Sequence, residues 1–235
     1  MNIVIGNWKM NPATVAEAKK LAASVENGLM GVDKGRVRVV ICPPFVFLPA
    51  LKHSLHFAAL GAQDVAHEEE GAFTGEVSAA QLKEFGVKYV IIGHSERRAL
   101  GESNELIAKK LNIAFVHKLN IILCVGFGAH KGASAEEVRA ILQKQLAAIP
   151  QGVELIVAYE PVWAIGTGQP AAAAHAREML QFIESVVPGA QPIYGGSVDR
   201  HNAREFAGVG VSGALVGGAS LKSDDFLEII KAFAA

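Results

Sequence analysis

Residues 210–218 read Gly-Val-Ser-Gly-Ala-Leu-Val-Gly-Gly, GVSGALVGG. A short apolar run, Ala214–Val216, is bounded by glycines and carries neither a charge nor a proline. It is the last in a series of such runs, so in an open sheet it would lie at an edge. Exposed edges need charge, proline or a cover against pairing with other chains. A final strand without these guards fits a sheet that closes on itself.

Upstream, branched apolar runs recur, each followed by a polar, Gly-rich or Pro-rich turn. The clearest are Ile3–Ile5, Val37–Ile41, Tyr89–Ile92, Ile121–Val125 and Leu155–Tyr159; Phe57–Leu60 and Pro192–Tyr194 are weaker. Strict polar/apolar alternation is mostly absent, as in parallel strands buried on both faces. Between them lie stretches of helical period: Ala13–Glu26, Ser78–Phe85, Asn104–His117, Ala135–Ile149, Ala171–Val187 and Asp224–Phe233. Ser134 and Glu137 have capping-box spacing, Pro188–Gly189 ends a helix, and Ser223 is expected to cap the last one, with Asp224 and Asp225 in its first turn. Strand and helix alternate with no linker, which predicts one α/β domain over 1–235. Crossovers of this length imply parallel strands. Period alone leaves an open doubly wound sheet as the rival; the unguarded last strand favours an eight-stranded parallel barrel.

The 235 residues are 51% hydrophobic, enough for a large core, and carry 22 basic and 23 acidic side chains, a net charge of −1. This balance predicts no nucleic-acid and no anionic-membrane partner, while leaving room for a local cationic pocket. The start, MNIVIGNWK, lacks a leader's basic and long apolar regions, and no run of eighteen apolar residues occurs. A soluble protein of the cytoplasm is expected. Cys42 and Cys124 each close an apolar run and read as buried thiols in a reducing compartment. His53 and His56 are three apart, a spacing that permits a metal but more readily describes surface or structural histidines. No metal or other cofactor is expected.

Chemistry in a parallel barrel sits at the C-terminal strand ends. Those ends carry Gly6-Asn7-Trp8-Lys9, Gly93-His94-Ser95-Glu96-Arg97-Arg98, Glu160 with Pro161-Val162-Trp163-Ala164-Ile165-Gly166-Thr167-Gly168, Gly195-Gly196-Ser197 and Gly217-Gly218. Taken singly each signal is weak; together they bring one carboxylate, one imidazole and one ammonium to one rim. The glycine-rich ends of the last two strands offer main-chain N–H groups to a phosphate. Neither G-x-x-x-x-G-K-[ST] nor a G-x-G-x-x-G after the first strand is present, which disfavours nucleotide kinases and dinucleotide enzymes. A base, a neutral donor and a cation beside a phosphate site suit proton transfer next to a carbonyl, with Glu160 taking the proton and His94 and Lys9 stabilising the enediolate. Pro161–Gly168, proline at one end, glycines at the other and apolar between, reads as a lid that excludes water.

The chain resembles the bacterial triosephosphate isomerases over essentially its whole length, through GNWKMN, CPPF, GAFTGE, GHSERR, YEPVWAIGTG, YGGSV and LVGGASL in that order. The resemblance implies a single-domain (β/α)8 TIM barrel and a cofactor-independent aldose-ketose isomerase. Its substrates would be the phosphorylated trioses dihydroxyacetone phosphate and D-glyceraldehyde 3-phosphate, in glycolysis and gluconeogenesis. It implies Glu160 as the base, His94 as the electrophile, Lys9 as the cation, Asn7 as a substrate contact, and Gly166, Ser197, Gly217 and Gly218 as phosphate-binding positions. Glu96 would help hold the lysine, and Ser95 would contact the base carboxylate. The family is usually homodimeric, with the loop Gly71–Glu76 entering the neighbouring subunit, Thr74 at its tip beside Phe73.

Two departures bear on this. The family commonly has a glutamate after the fifth strand's Cys-x-Gly, where it helps anchor the lid tryptophan, here Trp163. This chain has Phe127, which cannot accept an indole N–H. The chain is also somewhat shorter than usual, between Gly126 and Glu154 and around Gly31–Gly35, away from the catalytic side chains. Another phosphate-binding barrel enzyme, such as an aldolase or a biosynthetic isomerase, is a rival, but it would need a Schiff-base lysine inside a strand or a different acid-base pair; Lys9 lies just past the first strand, and no strand interior carries a lysine except Lys88 at an entrance. A binding protein on the same fold is the second rival, and no appended region or repeat supports it.

Overall fold

The computed structural model describes residues 1–150, 152–162 and 172–235. Its strands are β1 (Asn2–Asn7), β2 (Val37–Cys42), β3 (Ala59–Ala62), β4 (Tyr89–Ile92), β5 (Asn120–Val125), β6 (Ile156–Tyr159), β7 (Gln191–Tyr194) and β8 (Gly213–Val216). They pair in parallel in chain order, and β8 pairs back onto β1 with Ile3 opposite Gly213 and Val4 opposite Ala214, closing the barrel. Closure is tight at that seam. A Cβ on Gly213 would stand 2.1 Å from the Ile3 carbonyl oxygen, so glycine is required where the last strand meets the first. The unguarded final strand of the sequence is therefore not an edge.

The lack of polar alternation has a direct cause. Ile3, Ile5, Val40, Ile91, Ile122, Ile193 and Leu215 form one buried cluster, the barrel lumen. Their strand neighbours Val4, Val39, Ile41, Val90, Ile92 and Leu123 belong to a second cluster under the helices. Both faces of the strands are dry apart from their starts, where Arg38 and Asn120 are exposed, and each fully buried Val, Leu or Ile contributes about 1.5–3 kcal/mol. Cys42 and Cys124 lie in the lumen cluster as free thiols. Burial pushes both well above the ordinary thiol range, and the Glu160 carboxylate adds to the effect on Cys124.

The helices are α1 (Val15–Gly28), α2 (Leu48–Leu51), α3 (Ala79–Glu84), α4 (Ser95–Ala99), α5 (Asn104–Val116), α6 (Ala135–Leu146), α7 (Ala173–Val186), α8 (Ala203–Gly208) and α9 (Ser223–Ala234). Capping boxes start α1 at Thr14 and Glu17, α3 at Ser78 and Gln81, and α6 at the expected Ser134 and Glu137. Caps of this kind contribute about 1 kcal/mol each.

Several sequence expectations shift. The third strand was expected at Phe57–Leu60 but runs Ala59–Ala62, because the main-chain N–H groups of His56, Phe57 and Ala58 donate to the Glu26 carboxylate of α1. Those donors, taken by a side chain, cannot serve a sheet ladder. Ser223 does not cap α9: it is the first helical residue, and the cap position is Lys222, without a side-chain bond. The helix expected over Ala135–Ile149 stops at Leu146. The short α2, α4 and α8 are not among the expected helices, since four to six residues hold too little of a 3.6 repeat to show one. Ala171, expected to begin the helix that runs Ala173–Val186, lies outside the described residues.

Candidate active site

Lys9, two residues past the end of β1, has φ of 54°, a left-handed conformation uncommon for a residue with a side chain. Three contacts hold it there. The Lys9 N–H donates to Asn7 Oδ1 at 3.0 Å. Gln63, just after β3, donates its Nε2 to the carbonyls of Lys9 at 2.8 Å and Cys42 at 2.9 Å. Strain of this sort costs about 1–3 kcal/mol and persists where the surroundings over-determine it. Its effect is to turn the side chain back over the barrel, where Nζ meets Glu96 Oε1 at 2.5 Å.

His94 follows β4 and occupies the cap position of α4, its Nδ1 accepting the Glu96 N–H at 3.2 Å. A nitrogen that accepts carries no proton, so this pattern assigns the ring proton of the neutral imidazole to Nε2. That nitrogen faces Glu160 Oε1 at 3.0 Å. The Ser95 N–H donates to the other carboxylate oxygen at 2.8 Å, so Ser95 contacts Glu160 through its main chain. One oxygen of a carboxylate that is only 2% exposed is thereby hydrogen-bonded to the main chain, and the other lies 3.0 Å from the imidazole.

The chain beneath Glu160 is held from two sides. Its N–H donates to the Val125 carbonyl at 2.7 Å, and the Gly195 N–H donates to the Tyr159 carbonyl at 2.7 Å. Gly195 packs so closely that a Cβ there would lie 2.9 Å from Glu160 Cγ. Gly126, at φ +112°, packs on the other side, where a Cβ would lie 2.4 Å from the Glu160 carbonyl oxygen. Larger residues at either position would displace the carboxylate.

One cavity of about 270 Å³ takes in Asn7, Lys9, His94 and Glu160 on one side and Ser197, Gly217 and Gly218 on the other. Gly217 stands against the lysine stem, its notional Cβ 3.4 Å from Lys9 Cε. The space suits a small anion: an ammonium and glycine-rich turns line it together with a buried carboxylate and an imidazole. Of the lid stretch, Pro161 is buried and Val162 half-buried. Trp163, Ala164, Ile165, Gly166, Thr167 and Gly168 lie outside the described residues. Phe73 and Thr74 lie apart from the cavity on an exposed turn in which the Glu76 N–H donates to the Phe73 carbonyl, and Phe73 meets His67 edge-on at 5.7 Å.

Two residues that support this site were not singled out from sequence. Gln63 is one. The other is Arg98, buried, whose guanidinium donates to the carbonyls of Gly93 at 2.7 Å and Cys124 at 3.0 Å and so ties the end of β4 to that of β5. The paired arginines of GHSERR were the available signal; Arg97 instead faces Asp64 and Glu102. A buried lysine, Lys110, is also held by Asp64 and Glu102, at 2.8 and 2.5 Å. It lies on α5, outside the cavity, which leaves it no part in a Schiff-base chemistry there. Among the described residues no three His, Cys, Asp or Glu side chains gather as a metal site would require.

The comparisons with known proteins agree with this geometry. A family model described as triosephosphate isomerase matches residues 2–233. Proteins named triosephosphate isomerase are similar over nearly their full length. That of Magnetococcus marinus is 40% identical, covering 99% of this chain and 98% of its own. That of Carboxydothermus hydrogenoformans is 44% identical, covering 97% of each. That of Erwinia tasmaniensis is 44% identical, covering 99% of this chain and 97% of its own. With its closed parallel barrel and its carboxylate, imidazole and ammonium around one cavity, the chain belongs to the triosephosphate isomerase family.

Proposed function

We propose that this chain interconverts dihydroxyacetone phosphate and D-glyceraldehyde 3-phosphate, as a cofactor-independent aldose-ketose isomerase of glycolysis and gluconeogenesis. The observation that carries the reading is the buried Glu160 carboxylate, within 3.0 Å of His94 Nε2 in the cavity that Lys9 also lines. Glu160 takes a proton from C1 of the ketone, and the electron pair of that C–H bond becomes the C1=C2 bond as the carbonyl oxygen gains negative charge. The His94 Nε2–H donates to that oxygen and the Lys9 ammonium lies beside it, so charge is met where it develops. Return of the proton from Glu160 to C2, with a proton exchanged between the two oxygens, gives the aldehyde. Glu160 gives up its bond to the Ser95 N–H and its place beside His94 to reach carbon, so a change of carboxylate position is part of the cycle.

Asn7 and Lys9 would hold the substrate, and the main chain at Gly166, Ser197, Gly217 and Gly218 would hold its phosphate. Glu96 fixes the ammonium, consistent with its 2.5 Å contact. Pro161–Gly168 would close over the enediolate and exclude water, since an exposed enediolate phosphate expels phosphate. One domain spans 1–235 on this reading, and two chains assemble as a homodimer through Phe73 and Thr74; Phe73, 41% exposed at a loop tip, supports this. No described helix is long and apolar enough to cross a membrane, and a cytoplasmic location accords with that and with the pathway. The purified chain, given either triose phosphate and no added cofactor, should produce the other. No turnover in either direction would overturn the assignment, and borohydride trapping of substrate on the protein would favour an aldolase instead. Sedimentation equilibrium at micromolar concentration should give twice the monomer mass; monomer alone would remove the dimer.

A further inference from the structure

We propose that Gln145, on the last turn of α6, is a positioning residue for the base. The inference rests on Glu160 being that base. Gln145 is buried, and its carboxamide is used at both ends: Oε1 accepts the Gly126 N–H at 2.7 Å, and Nε2 donates to the Phe127 carbonyl at 2.7 Å. Two opposed bonds of this length to consecutive residues fix the orientation of a turn as well as its place. The turn leaves β5 at Gly126, which holds φ +112°, and Gly126 lies directly against the Glu160 carbonyl.

Glu160 depends on that turn because its own N–H donates to Val125, one residue before Gly126. On the opposite side Gly195 leaves no room for a side chain, a Cβ there lying 2.9 Å from Glu160 Cγ and 3.1 Å from the Tyr159 carbonyl oxygen, so the place of Glu160 on its other side is set by the turn at Gly126. The Gln145 carboxamide holds that turn. It is carried by a helix whose Val138, Leu142 and Leu146 are buried, a rigid support for a turn whose Gly126 carbonyl accepts the Ala129 N–H at 3.3 Å. A lone amide in a core is more often a satisfied structural group; the difference here is that both partners belong to the turn against which the base's peptide rests.

The test uses the full chain with Gln145→Met, which keeps length and loses both bonds, and Gln145→Glu, which keeps the acceptor and sets a negative charge against the Phe127 carbonyl. Gln145→Met should lower kcat by about 10-fold or more through a misplaced base, with KM within about twofold. Gln145→Glu should lie between it and the parent. The decisive reading is a double-mutant cycle. The kcat cost of Glu160→Asp should shrink in the Gln145→Met background, while that of Lys9→Met should not. A merely structural glutamine would lower Tm and leave the cycle additive. Unchanged kcat in a folded Gln145→Met protein, or an additive cycle, overturns the proposal; if Gln145→Met does not fold, Gln145→Glu decides by the same measurements. Should Glu160→Gln itself retain turnover, the reading of the base fails. Should Glu160→Gln be inactive while Gln145→Met turns over normally, only this inference fails.

Discussion

Replacing Gly126 by alanine adds one methyl group at a position where its effect can be worked from the coordinates. The new Cβ would lie 2.4 Å from the Glu160 carbonyl oxygen, and ordinary contact begins at 3.4 Å, so about 1.0 Å of separation must be found (3.4 less 2.4). The backbone oxygen cannot rotate away as a side chain would, since Pro161 restricts the rotation that would turn it and the Glu160 N–H is bonded to the Val125 carbonyl of β5. Glu160, the proposed base, therefore moves by a substantial part of that distance, and a misplacement of about 1 Å costs roughly 100-fold in rate. Alanine at φ +112° also carries backbone strain of about 1–3 kcal/mol, which alone would destabilise the protein. Gly128→Ala separates the two effects, because Gly128 has φ +100° and nothing within 4 Å of its notional Cβ. Steady-state kinetics and thermal melts on the pair give a clear expectation. Both variants lose Tm by about 2–4 °C per kcal/mol of strain, and only Gly126→Ala loses kcat. Equal kcat losses in the two, or near-normal kcat in Gly126→Ala, would refute the claim that the Gly126 contact positions the base.

Lys9→Met should lower kcat/KM severely by raising KM and reducing kcat together, because a cation beside both the bound anion and the developing oxyanion acts in ground and transition states; an unchanged kcat/KM would remove Lys9 from the site. Lys110→Met should destabilise the fold by about 3–5 kcal/mol in denaturant titration, because it leaves the buried Asp64 and Glu102 carboxylates without their shared ammonium. A loss under about 1 kcal/mol would show that Arg97 alone compensates the pair.

Closure of the barrel was legible in residues 210–218, because an unguarded apolar strand makes sense only where a neighbour covers each side, and Gly213 against Ile3 shows the neighbour. The residues that line the cavity, Asn7, Lys9, His94 and Glu160, were legible for a related reason: polar residues that directly follow several apolar strands of a barrel meet at one rim. What escaped the sequence acts across the fold. Glu26 takes three N–H donors about thirty positions away and moves β3 by two residues, and no local pattern records that. Gln63, Arg98 and Gln145 reach carbonyls and amides of other elements, and as isolated amides and a guanidinium they look like surface residues until the elements are packed. Phe127 was conspicuous for a glutamate it replaces, yet the part of it that the structure engages is its carbonyl, an atom common to every residue type. The tryptophan that glutamate would anchor, Trp163, lies outside the described residues.

The central claim is that Glu160 moves the proton, and exchange of the substrate's C1 proton with deuterated solvent in Glu160→Gln, purified free of host isomerase, tests it most directly. Glutamine keeps the size of the side chain and removes the basic oxygen, in a cavity whose other walls are untouched. Loss of a positioned general base costs about 10²–10⁴-fold, so exchange and turnover in both directions should fall together by at least that range while the melting transition stays cooperative. Near-normal exchange and turnover in Glu160→Gln would mean that another group takes the proton, and the mechanism built on this carboxylate would be wrong.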